Sequence, residues 1–563
     1  MASFFSKDRI IAPAGFNRWK VPPASIAIHL CIGSVYAWSV FNPPLMKVRG
    51  VAASAAGDWS LTQVTWIFTV AIVSLGLSAA VAGRWMERVG PRTVGLAAAC
   101  CWGCGFLVSA VGIWLHKLPL VYLGYGVVGG IGLGLGYVSP VSTLIKWFPD
   151  RRGMATGLAI MGFGGGAMIA APLNEGLIRH FYEQPEYVGS EGSVPLSTDH
   201  RGVRFAELNG QRREVVVVGA NDVAKMIVPG PPGAYLVGTG RTGVAEAFVT
   251  LALGYLLVMC LAALSYRLPA ADWRPVGYAP ALGQAAARKM ISANHVAVGS
   301  ALLTPQFYLL WIMLCFNVTA GIAVLGVAKT MMTDMFASTL PQIVTAAFAT
   351  VYVQMTSVSN MAGRFFWSTV SDHLGRQRTY SIFFVGGAAA YLSIPWIAGR
   401  LTASQDAAWL AAFYAVTMLI FTMYGGGFAT IPAYLADLFG SRNVAAIHGL
   451  LLTAWSTAGV LGPIAITSLR ERSVQQAIES LAVAIGPERF EAKFGAPLAE
   501  LPALIESHTV TISKLMEIAP ESTIDPSSGL YNSTMVLMAG LLATALVANL
   551  LVRPVAAKHH LDE

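Results

Sequence analysis

The stretch SVSNMAGRFFWSTVSDHLGRQRT, residues 357–379, lies in an apolar run that begins near Gln342 and is closed by a polar loop rich in arginine. An earlier stretch, GRWMERVGPRT at 83–93, has the same order: glycine, an acidic residue, Gly-X-Arg or Gly-Arg, and a basic end. Each follows a long apolar segment, so the recurrence predicts a chain made of two equivalent halves, related by a pseudo-two-fold axis along a membrane normal.

Arg364 stands eight residues before Asp372. At ~1.5 Å per helical residue it sits roughly 12 Å inside the boundary of a ~30 Å apolar core. A guanidinium stays charged there, and an arginine at that depth costs from about 3 to more than 10 kcal/mol. It is therefore expected to face a water-filled cavity or a bound anion; the alternative is an arginine that pairs with backbone carbonyls or snorkels to the near interface.

The rest of the chain agrees with a membrane setting. Of 563 residues, 55% are hydrophobic and 12% charged, where soluble domains carry about 25% charged residues. Apolar runs starting near positions 22, 61, 94, 119, 153, 246, 306, 342, 379, 407, 444 and 530 predict twelve spanning helices, an all-α membrane protein. Alternating strands are absent from the pattern, which excludes a barrel.

The net charge of +8 reports orientation, because the basic residues gather at helix ends. Arg84, Arg88 and Arg92 follow helix 2, Lys146, Arg151 and Arg152 follow helix 4, and Arg376 and Arg378 follow helix 8. These loops and both termini are expected in the cytoplasm, in a multi-pass protein of the cell (inner) membrane with no nucleic-acid partner. The first apolar run, preceded by Lys7, Arg9, Arg18 and Lys20, is itself a full span, so no cleavable signal is expected. All six cysteines fall in apolar runs, which argues against structural disulfides, and CCWGC lacks the His or carboxylate neighbours of a metal site. No cofactor is expected.

The expected division is an N-terminal half at 1–267, a cytoplasmic linker at 268–304 and a C-terminal half at 305–563. Insertions at 180–245 and 470–528 interrupt the two halves at matching points. They form either one cap over the cavity or two independent loops. Gly124, Gly126 and Gly129 spell GxGxxG, but no strand precedes them, and the density of small residues in helices 4 and 5 instead predicts close helix packing.

At mid-membrane depth the sequence places Tyr36 in helix 1, Tyr137 in helix 4, Tyr424 and Phe428 in helix 10 and Trp455 in helix 11, level with Arg364. One fixed cation within an aromatic belt suits a small organic anion: the arginine offers a two-pronged fork, tyrosines donate to carboxylate oxygens, and ring faces exclude water. His29 and His448 are candidate proton carriers, although a packed histidine is the commoner case.

In Gly83, Glu87, Arg88, Gly90 and Arg92, and again in Asp372, Gly375 and Arg376, the chain resembles the major facilitator superfamily. The resemblance implies the major facilitator fold of two pseudo-symmetric six-helix halves, with these loops latching the halves on the cytoplasmic side. Through YAWSVF, WFPDRRG, ATGLAIMGFG and NMAGRFFWSTVSDHLGR it narrows to the oxalate:formate antiporter branch, close to the monocarboxylate porters. There a helix 8 arginine and a helix 11 lysine hold the dicarboxylate. The arginine carries over to Arg364 and the cage positions to Tyr424 and Phe428, but Trp455 stands where the lysine would be.

One cation matches one negative charge, so the expected function is alternating-access transport of monocarboxylates by a protein working as a monomer in the lipid bilayer. An oxalate:formate antiporter is the alternative within transport, and a transporter-like ligand sensor the alternative of another class. Walker A, HExxH and paired intramembrane acids are absent from the sequence, so an enzyme is not expected.

Overall fold

The computed structural model describes residues 7–148, 152–190, 192–199, 202–208, 210–270, 273–275, 294–440, 443–521 and 523–561. The side chains at 83, 84, 87, 142, 145, 152–156, 224 and 445 lie outside the described residues. The membrane part consists of helices α1 (Pro22–Gly33), α2 (Leu61–Val89), α3 (Pro91–Trp114), α4 (Gly130–Trp147), α5 (Arg152–Phe181) and α6 (Val244–Ser265) in the first half. The second half has α7 (Pro305–Phe336), α8 (Ala346–Leu374), α9 (Arg376–Ser404), α10 (Ala407–Phe439), α11 (Thr453–Ile485) and α12 (Asn532–Leu551). Eleven of the twelve segments are long and apolar enough to cross a membrane. The exception is α8, which is long enough at 29 residues. Its Gln354, Ser357, Ser359, Asn360 and Arg364 dilute the hydropathy, as expected of a helix that turns a polar stripe inward.

Caps set where these helices start. Ser60 and Gln63 form a reciprocal capping box on α2, and Thr304, Thr345 and Asp406 accept backbone amides at the starts of α7, α8 and α10. The two recurring loops turn on Gly90 (φ 84°) and Gly375 (φ 87°), each with ψ near that of an extended strand. Only glycine adopts that combination readily, so the repeat seen in sequence is a repeat of backbone geometry.

Regular helix gives way near the centre. α1 tightens into a 3-10 segment, Ser34–Val40, which carries Tyr36, and α11 is separated from Val444–Leu451 by a break at Leu452. The glycine-rich start of helix 4, Tyr122–Gly129, is π-helical and lies against α3 so closely that a side chain at Gly105 would meet the backbone of Gly124 and Gly129. Its glycines therefore serve packing, in line with the sequence.

Across the halves α2 packs on α11 and α5 on α8. Ser357 Oγ donates to Gly164 O at 2.7 Å and accepts from Met168 N at 3.0 Å, while Ser456 Oγ donates to Val73 O at 3.1 Å. Gly164 faces Arg364, Gly165 faces Met361 and Gly76 faces Ser456, so small residues let the two halves meet closely along both seams. The chain's ends lie together, since Ile11 pairs with Leu268 and Val296 with His560. We call this the terminal end; most of the expected linker, 271–272 and 276–293, lies outside the described residues.

At the opposite end the insertions fold. β1 (Tyr187–Gly189), β2 (Leu196–Thr198), β3 (Arg204–Leu208), β4 (Gln211–Val218) and β5 (Gly233–Leu236) make an antiparallel sheet in the order β1-β5-β4-β3-β2. The second insertion begins inside a helix, because α11 runs on to Ile485, and then forms Pro487–Phe494, Leu501–Glu506 and Ile512–Met516. Thr509 Oγ1 donates to Gly202 O at 2.8 Å, Asn221 N to Glu517 Oε1 at 3.4 Å, and Lys225 bonds Ser513. The insertions thus form one cap, and the alternative of two independent loops is set aside.

Candidate substrate site

Arg364 is fully buried in the middle of α8. Its Nε donates to Asn360 Oδ1, one turn earlier, at 2.9 Å, and its Nη1 reaches across the halves to Ile160 O at 3.0 Å. Nη2 has no partner, and among the described residues no carboxylate lies within ion-pair distance. One prong of this arginine is thus held by a backbone carbonyl, and another is left over.

Around it the aromatic residues close into a belt. The Arg364 guanidinium carbon lies 5.1 Å from the Phe428 ring centre and 5.9 Å from that of Phe163. Phe428 packs edge-on against Trp455 at 4.7 Å and against Tyr424 at 5.4 Å. Trp455 meets Tyr137 at 5.6 Å and Phe163 at 5.4 Å, and Phe163 meets Tyr36 at 5.2 Å. Tyr36 and Tyr424 close the ring through a hydroxyl-to-hydroxyl bond of 3.0 Å between the halves. All of these side chains are buried, so water is excluded and charge interactions at the site are strong.

Three further hydrogen-bond donors in this belt are buried without a partner: Tyr137 Oη, Trp455 Nε1 and Asn360 Nδ2. Buried donors are seldom left unmade, since each costs about 1–3 kcal/mol. Together with Arg364 Nη2 they suit a group rich in acceptor oxygens.

All six sequence-predicted binding positions, Arg364, Trp455, Tyr424, Phe428, Tyr36 and Tyr137, come together here. Phe163 and Asn360 were missed. Phe163 is the one aromatic in GFGGG of α5, and Asn360 lies one turn from Arg364, so both signals were present in the sequence. Lys329 was missed too. It is buried in α7 and paired with Glu175 of α5, which also accepts from Arg179 Nε at 3.0 Å and Thr350 Oγ1 at 3.1 Å. Its position late in a long apolar helix hid it among residues expected to reach the boundary.

The histidines differ. His29 is sealed, with Nδ1 against Ala159 O and Nε2 3.2 Å from Tyr137 O, so it ties α1 to α4 and α5. His448 is buried on Val444–Leu451 with Nε2 unpartnered. In the second recurring loop Arg376 bonds Asp372 at 2.7 Å, Asp437 at 3.1 Å and Ser371. These bonds join α8, α9 and α10 of one half. In the first loop Arg92 is buried and Arg88 exposed beside the Gly90 turn, while Gly83 and Glu87 lie, as side chains, outside the described residues.

Two six-helix halves closing on a buried arginine make up the major facilitator fold, and the chain is similar to proteins of the Major Facilitator Superfamily. Residues 24–185 match the model of that family. A bacterial homologue of the human lysosomal transporter Spinster shares the fold with a TM-score of 0.55 at 14% identity, over 96% of this chain and 97% of that one. Among curated proteins, the chain is 25% identical to the oxalate:formate antiporter of Oxalobacter formigenes, over 79% of its own length and 83% of the relative's. It is 22% identical to apicoplast pyruvate carrier 1 of Toxoplasma gondii, over 76% of its own length and 79% of the relative's.

Proposed function

We propose that this transporter carries small monocarboxylates by alternating access, with Arg364 as the partner of the substrate's carboxylate. The observation that carries the reading is a fully buried guanidinium whose Nη2 has no partner and which no carboxylate among the described residues neutralises. An unpaired buried charge costs several kcal/mol, and a bound anion removes that cost. Tyr137, Trp455 and Asn360 supply further donors, and the ring faces of Phe163, Phe428 and Trp455 give a short carbon chain an apolar wall.

One cation favours one negative charge, as in formate, pyruvate or lactate. Two relatives are named for short carboxylates, which supports the class. Exchange of oxalate for formate is the second reading, favoured by the Oxalobacter relative; against it stands the indole of Trp455 where a second cation would be needed. In this reading the halves are 1–267 and 305–563, the terminal end faces the cytoplasm, and the cap faces outward.

The experiment is counterflow of labelled mono- and dicarboxylates into proteoliposomes, with and without a pH gradient. Accumulation of a monocarboxylate that Arg364→Ala abolishes, at normal membrane abundance, is the expected result. Transport by Arg364→Ala with unchanged affinity overturns it.

A further inference from the structure

The belt is sealed toward the cap by a short neck. Asn42 Nδ2 donates to Gly326 O at 3.0 Å, and about one turn further along α7 Lys329 meets Glu175. Lys329 is eight residues beyond Gly321, where any side chain would strike the Tyr424 ring, so it lies ~12 Å from the belt along α7.

Above this seal is a cavity of about 160 Å³ between the halves. It continues into a cleft of about 500 Å³ beneath the cap, the two sharing Met46, Lys47, Lys225, Asp334 and Arg470. The lining of the smaller cavity sets four cations, Lys47, Lys225, Lys329 and Arg470, against two carboxylates, Glu175 and Asp334. Arg470 is held by Asp334 at 2.7 Å, and Lys225 lies 3.4 Å from Asp222. Lys47 alone of the four has a backbone oxygen, Lys225 O at 2.7 Å, and no carboxylate within ion-pair distance among the described residues. Glu175 is shared between Lys329 and Arg179, so one positive charge is left over there as well. The space equals about five water molecules at ~30 Å³ each, enough for an acid of a few carbon atoms.

We propose that this neck is a second carboxylate site, in which Lys47 and Lys329 hold the acid on its way between the cap and Arg364. The inference rests on the carboxylate-transport reading. An incoming carboxylate replaces Glu175 as the partner of Lys329, and the ion pair that joins α5 to α7 is loosened as the acid arrives. Glu175 keeps Arg179 and Thr350, so it is not stranded when Lys329 leaves it. The site therefore both gathers the acid and opens the seal behind which Arg364 lies.

The test uses purified full-length protein and labelled pyruvate. Wild type should bind two classes of pyruvate, Arg364→Ala should retain the weaker class, and Arg364→Ala with Lys47→Gln should retain neither. In proteoliposomes Lys47→Gln alone should raise the half-saturation concentration for uptake about tenfold, the effect of losing one charged hydrogen bond, and Lys47→Arg should restore it. One class of site in wild type, none in Arg364→Ala and unchanged uptake by Lys47→Gln would overturn the neck site and leave the transport reading standing. Absence of any saturable pyruvate or formate binding by wild type would overturn both. Equal binding by Arg364→Ala with and without Lys47→Gln would place the second class elsewhere and also overturn it.

Discussion

The hydroxyl of Tyr36 meets the hydroxyl of Tyr424 at 3.0 Å across the interface of the two halves, although 388 residues separate them in the chain. Tyr36 sits on the 3-10 segment of helix 1 and Tyr424 in the middle of α10, beside Gly321 of α7. In the proposed alternating-access cycle this contact forms only when the halves close on the belt. Removing either hydroxyl gives up a net of about 0.5–1.5 kcal/mol. Tyr36→Phe and Tyr424→Phe should each slow turnover by up to about tenfold. The double variant should be no slower than the worse single one, because both remove the same bond. Additive losses in initial uptake rates would show that the two hydroxyls act separately.

Arg364 combines charge with a fork whose three nitrogens have different assignments, to Asn360, to Ile160 and to neither. Arg364→Ala should abolish transport. Arg364→Lys keeps the charge but gives one nitrogen in place of three, so uptake should fall by about tenfold or more without vanishing. Initial uptake at equal membrane abundance distinguishes these outcomes, and activity of Arg364→Ala near wild type would make the arginine structural.

Trp455 walls the belt opposite Arg364, against Phe428, Tyr137 and Phe163. Replacing it by lysine adds a second cation, so Trp455→Lys should shift selectivity from monocarboxylate toward oxalate. A dianion then no longer leaves an excess charge in a dry site. Competition of pyruvate against oxalate in both proteins measures the shift. A wild type that already prefers oxalate, with no gain in the variant, would refute the one-cation argument.

The Glu175–Lys329 pair joins α5 to α7, the first half to the second. Glu175→Gln leaves the buried Lys329 and the exposed Arg179 without their acid partner, and breaking a buried pair such as Glu175–Lys329 costs about 3–5 kcal/mol. The expected result is a neck that opens more readily, seen as faster thiol labelling of Thr330→Cys, which lines the cavity above the seal. The exchange Glu175→Lys with Lys329→Glu should slow labelling again. No difference between Glu175→Gln and the parent would mean that other contacts keep the neck shut.

Lys47 lies outside the spanning segments, and burial pushes its ammonium down to about 8. Asp222, Lys225 and Asp58 act on it electrostatically, and Arg470 and Asp334 share its cavity. Below that value Lys47 is charged and attracts an anion; above it the charge is lost. The half-saturation concentration for uptake should therefore rise as pH passes from about 7 to about 9 in wild type. In Lys47→Arg the rise should disappear, since a guanidinium does not titrate there. A pH profile of Lys47→Arg that matches wild type would assign the titration to another group.

Much of this architecture was legible in the chain because membrane insertion imposes local rules. Lipid requires runs of about twenty apolar residues and satisfied backbone, so helix positions follow from composition alone. The α8 segment was found from its flanking loop even though its hydropathy is diluted, and the Gly90 and Gly375 turns from the repeat they share. Depth was legible too, since a constant rise per residue puts Arg364, Tyr137, Tyr424, Phe428 and Trp455 at one level.

What only the tertiary structure decided is who faces whom. Helical rise gives depth but not rotation about the bundle axis, so the sequence could not pair Tyr36 with Tyr424 or bring Phe163 to Arg364. The sequence carries no sign that Lys329 meets Glu175, because an ion pair between helices 5 and 7 leaves no pattern within either segment. The cap is the strongest case. Its sheet and helices join residues such as Gly202 and Thr509 through non-local contacts, whose partners no local periodicity specifies.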